Sequence, residues 1–114
     1  MQEEFVKALF MSIVLENVQI YQNLFDTTKI DSKTTEHWKN ALKMYNGLSA
    51  NQKDIFISVI RQTIIDTISN FFGIIDGGST LNGFDLDVKF EIDNKEVNGK
   101  LQDQFLELIE NIEN

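Results

Sequence analysis

The chain has 114 residues, with 18 acidic against 10 basic side chains, a formal net charge of −8, and neither cysteine nor proline. That length suits one domain, spanning residues 1–114, that can bury a core without a disulfide or metal staple. The missing cysteine excludes disulfides, thiolate chemistry, iron–sulfur clusters and cysteine-bound zinc; the charge argues against nucleic acid and anionic membranes, both polyanions.

The first segment, Glu3 to Phe25, reads as a long helix. Phe5, Leu9 and Ile13 recur at four-residue steps, and Val6, Phe10, Val14, Tyr21, Leu24 and Phe25 widen the stripe. Asp26-Thr27-Thr28 breaks the pattern. A second helix is expected from Asp31 or Ser32, either of which can cap it. Its apolar face is Trp38, Ala41, Leu42 and Tyr45, and Asn46-Gly47 should end it with the glycine in the left-handed conformation.

The third helix carries the strongest signal. Ser49-Ala50-Asn51-Gln52 has the pattern of a capping box, with Ser49 as N-cap and Gln52 at N3. From Ile55 onward Ile57, Ile60, Ile64, Ile68, Phe71 and Ile75 form the main stripe, with Ile55 and Val59 on the opposite side. So apolar a helix is expected to be central, covered on two sides. It should stop at Asp76-Gly77-Gly78, which is the wrong order for a phosphate cradle, since the glycines follow a helix instead of opening one.

The period then changes. Phe84, Leu86, Val88, Phe90 and Ile92 alternate with Asp85, Asp87, Lys89, Glu91 and Asp93, the pattern of a half-buried strand. Asp93-Asn94-Lys95 is turn chemistry, so Glu96-Val97 can return as a second arm. Other candidate partners for the strand are Ser79–Leu81 and the same strand in a second subunit. A last helix is expected from Gly99 to Ile112, with Asn98 as N-cap and Leu101, Phe105, Leu108, Ile109 and Ile112 as its apolar face. The expected fold class is α+β, predominantly helical: about four helices with one β-hairpin or short antiparallel sheet, 84–97, before the last helix.

The charge is unevenly spread. Residues 1–75 hold seven basic and eight acidic side chains, whereas residues 76–114 hold three and ten. Asp85, Asp87, Glu91 and Asp93 are expected on one side of the strand, with Glu96 on the returning arm. This face fits a basic protein partner, attracted over long range. It also fits a plain solvated face whose charges prevent edge-to-edge aggregation. Asp85 and Asp87, about 7 Å apart along one face, could share a hard cation, but the spacing of a calcium loop is missing, so no metal is expected. Arg61, the sole arginine, borders the apolar stripe of the third helix and suits either an anion clamp or an ion pair with a C-terminal acid. His37 has neither a second histidine nor a cysteine to act with, so no catalytic residue is assigned and no cofactor is expected.

In charge and size alone, the chain resembles small acidic bacterial immunity proteins, which implies a non-enzymatic module that masks a basic partner. Two alternatives remain open: a homo-oligomeric subunit pairing through its strand edge, and a small-anion sensor or enzyme using Arg61. The acidic start, Met1-Gln2-Glu3-Glu4, lacks the basic opening of a signal peptide, and no apolar run is expected to approach membrane-spanning length. The expected location is therefore the cytoplasm. The abundance of Ile, Asn and Lys suggests a bacterial source.

Overall fold

The computed structural model describes residues 1–77, 81–83 and 87–113. Its first element is a continuous helical rod made of α1 (Gln2–Leu9), a π-helical stretch (Phe10–Leu15) and α2 (Glu16–Thr27). Spacing explains the π stretch. Val6, Phe10, Val14 and Val18 recur every fourth residue, whereas an α-helix turns in about 3.6. A wider turn, bonded from i to i+5, takes up the overshoot. Val6, Phe10 and Val14 are thus the buried residues, while Phe5 and Leu9 are half-buried and Ile13 is exposed. The buried row therefore lies one residue along from the expected Phe5–Leu9–Ile13 stripe.

Helix α3 spans Glu36–Asn46, later than the expected start. Asp31 and Ser32 do not cap it. Asp31 instead closes a turn, its carboxylate accepting from the Lys33 amide at 2.8 Å, and Thr35 becomes the N-cap. Gly47 ends α3 at φ −84°, right-handed and not left-handed as expected. Helix α4, Ala50–Ile75, begins at the expected capping box, with the Ser49 hydroxyl and the Gln52 side chain each accepting the other's backbone N–H. Gly77 follows it at φ +81°, a conformation costly for any residue with a Cβ.

Two cores result. One joins Val6, Phe10 and Val14 to Ile65, Phe72, Ile75, Leu101, Phe105 and Ile109. The other gathers Phe25, Leu42, Tyr45 and Ile57. The rod and α4 take part in both, while α3 closes the second and α5 (Leu101–Glu113) the first. Helix α4 packs against both the rod and α5, but the side that carries Ile55 and Val59 is not covered. Ile55 and Val59 are 54% and 55% exposed, and Phe71, expected in the stripe, is 60% exposed while Phe72 is buried in its place. By length and composition α4 could cross a bilayer, with a mean hydropathy of 1.2 over its most apolar window, although polar residues interrupt every apolar run.

Before α5 lies a short antiparallel ladder, β1 (Glu91–Ile92) with β2 (Lys95–Glu96). The returning arm therefore pairs with the strand among the described residues, while Ser79 and Thr80 of the other expected partner stretch lie outside them. Asp93 and Asn94 form the turn with φ +51° and +67°, as a two-residue hairpin loop of matching twist requires. The expected alternation holds from residue 87: Val88, Phe90 and Ile92 are half-buried, Asp87, Lys89 and Glu91 exposed. Ladder pairing, however, covers two residues per arm. Phe84, Asp85 and Leu86 lie outside the described residues. The hairpin's apolar side packs on the first core, where Phe90 meets Phe5 at 5.3 Å between ring centroids.

Candidate functional site

The hairpin is tied down at its base. The Val97 amide donates to the Phe90 carbonyl at 2.9 Å, and Gln2 Nε2 donates to the Val97 carbonyl at 2.6 Å. Asn98, expected to cap α5, does something else. Its Nδ2 donates to the carbonyls of Ile75 and Val88, and its Oδ1 accepts from the Phe90 amide. The cap comes from Asp76 at the end of α4, whose two carboxylate oxygens accept from Gly99 N at 2.6 Å and Gln102 N at 2.8 Å. One residue thus ends one helix with its backbone amide and starts another with its side chain.

On this base the acidic residues take definite positions. Glu91 lies directly opposite Glu96 across the ladder, and both are exposed. Like charges placed so repel, at a cost of about 0.2–1 kcal/mol. Asp93 does not share their strand face as expected, because it occupies the turn. Asp87 is exposed on the chain leading in, and Asp85 lies outside the described residues. Helix α5 adds Asp103, Glu107, Glu110 and Glu113, all exposed. Among the described residues of this region, only Glu113 forms an ion pair.

That pair is with Arg61, at 2.7 Å, the guanidinium side chain 28% and the carboxylate 49% exposed. It ties the last turn of α5 to the middle of α4. A half-exposed pair of this kind contributes little, about 0–1 kcal/mol. The guanidinium is therefore already engaged by a carboxylate of its own chain. His37 is exposed and makes an edge contact with Trp38, centroids 5.2 Å apart. Among the described residues, no three metal-capable side chains cluster.

Sequence reasoning missed the groups that hold the two ends together. Asp76 acts across 26 residues and no local cap pattern can reveal it. Gln102 Nε2 donates to both the carbonyl and the hydroxyl of Ser69, across the face of Gly73. At the other end, the Tyr45 hydroxyl donates to Asp26 Oδ1 at 2.5 Å. That bond, with burial and the nearby charges of Asp26 and Asp54, pushes the Tyr45 phenol up to about 12. Compared with protein-family models, curated proteins and solved structures, the chain matches none.

Proposed function

We propose that this protein is a non-enzymatic, cytoplasmic binding module that engages a basic protein through its acidic hairpin and α5, in the manner of an immunity or antitoxin-type inhibitor. The observation that carries the reading is the pairing of Glu91 with Glu96. Folding gains nothing from two carboxylates facing each other on an exposed ladder. A lysine or arginine from a partner, placed between them, would turn that repulsion into two charge-assisted contacts. Asp87 and Asp93, exposed on the same stretch of chain, and the unpaired acids of α5 add to the negative charge of this third of the molecule and would speed encounter with a positive surface.

The test is capture from the source lysate at low and high salt, with wild type beside the double variant Glu91→Lys, Glu96→Lys. The reading expects a basic protein that is held by wild type, released by salt and lost from the variant. Absence of any such protein, or capture indifferent to both changes, overturns it.

A further inference from the structure

We propose that the pocket between the end of the N-terminal rod and the start of α3 is a binding site for a small amphiphilic carboxylate. It lies away from the acidic hairpin. The rod between them, 26 residues from Gln2 to Thr27, is about 39 Å long at the α-helical rise of 1.5 Å per residue. That distance is several screening lengths at physiological salt, so an anion at this end is shielded from the acids at the other. This pocket measures about 300 Å³, at the lower limit for small-molecule sites, and a second one, between α1 and α5, about 310 Å³. The two differ in chemistry. The second is lined by Glu3, Lys7 and Glu107 among others, whereas this one has an apolar floor of Leu24, Trp38 and Leu42 and a single charged lining residue, Lys33.

Charge around the opening is mixed: residues 26–54 hold five lysines against four acids, the Asp31 carboxylate is held by the Lys33 amide and the Thr34 hydroxyl, and Lys33 is the one cationic residue of the lining. The hydroxyls around the opening are not equivalent. Thr34 Oγ1 is bound to Asp31 and Thr35 Oγ1 caps α3. Thr28 Oγ1 and the Lys33 ammonium have no partner among the described residues, so both are free to meet a carboxylate. The ligand's apolar end then rests on the Trp38 indole and the two leucines. A ligand of eight to ten heavy atoms is the size indicated, with a dissociation constant of about 1 mM at the efficiencies usual for such small molecules.

Trp38 is the only tryptophan and lines this pocket, so its fluorescence responds to a ligand bound here. The probe is hexanoate, titrated against the full chain at constant ionic strength, with 1-hexanol and chloride as controls. We expect a saturable change for hexanoate near 1 mM, weaker binding of 1-hexanol, and no saturation with chloride. Lys33→Met, which keeps the stem and removes the charge, should loosen hexanoate about three- to fivefold, and Lys33→Arg should restore it. Circular dichroism of each variant verifies that the fold is kept. No saturation by about 10 mM hexanoate, equal affinity for the alcohol, or indifference to Lys33→Met each overturns the proposal. The acidic-face reading stands or falls separately, since its variants lie at the hairpin.

Discussion

Asp76 accepts hydrogen bonds from the amides of Gly99 and Gln102 while its own amide closes the last turn of α4 on the Phe72 carbonyl. The first amides of a helix have no intrahelical acceptor, and the residue before α5, Lys100, has no side-chain acceptor to offer. A carboxylate there also meets the positive end of the α5 dipole. Replacing Asp76 by Ala is therefore expected to cost about 1–2 kcal/mol, at the upper end for a lost cap. Asp76→Asn keeps one acceptor but turns its NH2 toward the second backbone N–H, so it should recover at most part of that loss. Urea unfolding of the two variants checks this, and an Asn variant as stable as wild type would show that a single acceptor suffices.

At the opposite end, the Tyr45–Asp26 bond carries a pH dependence with a definite sign. The phenol ionises at about 12 in the folded chain against an ordinary value of 10.0. A group with a raised folded value stabilises fully below its unfolded value and loses that contribution as pH climbs through the folded one. The stability tied to Tyr45 should hold to about pH 10 and disappear between 10 and 12. Ultraviolet titration should show one tyrosine ionising near 12, and Asp26→Asn should move that step down. Tyr45→Phe should lose about 1 kcal/mol near neutral pH and flatten the alkaline slope.

Some of this architecture was legible in the residues and some was not, for physical reasons. The capping box at Ser49 and Gln52 is a local signature and was readable. So was the change from helical to alternating period before Ile92. The π stretch was not read from the residues, because four-residue steps also suit an ordinary helical stripe, and the choice between the Phe5 and Val6 rows depends on which side α5 approaches. Exposure of Ile55, Val59 and Phe71 depends on how far α3 and α5 extend along α4, which no periodicity in α4 records. The acidic character of the last third was plain, but the Glu91–Glu96 register follows from the position of the Asp93-Asn94 turn. The Trp38 pocket lies between two elements, and its tryptophan looked like ordinary core.

At Gly73, α4 lies against the Gln102 side chain of α5. A Cβ there would sit 2.9 Å from Gln102 Nε2, too close unless that side chain leaves Ser69. Helix propensity alone would make Gly73→Ala stabilising by about 1 kcal/mol. The displaced amide and the uncovered Ser69 groups should reverse the sign, for a net loss of about 1 kcal/mol. Gln102→Ala removes the obstacle, so Gly73→Ala introduced into that background should be neutral or stabilising. The coupling energy of the double-mutant cycle measures this, and simple additivity would show that the two residues do not interfere.

The facing glutamates make a prediction independent of any partner. If Glu91 and Glu96 repel across the ladder, removing one charge should stabilise the free protein even though nothing is added to its core. Glu96→Thr is the sharper variant, because threonine also suits a strand better than glutamate does. Glu96→Gln isolates the charge, and a gain of about 0.2–1 kcal/mol is expected for it. The gain should shrink as salt is raised, since screening already relieves the repulsion between exposed carboxylates. Thermal unfolding of wild type and Glu96→Gln at low and high salt measures all of this. A variant no more stable than wild type at low salt would mean that the ladder carries no strain from the pair, and the main support for a binding role at the hairpin would go with it.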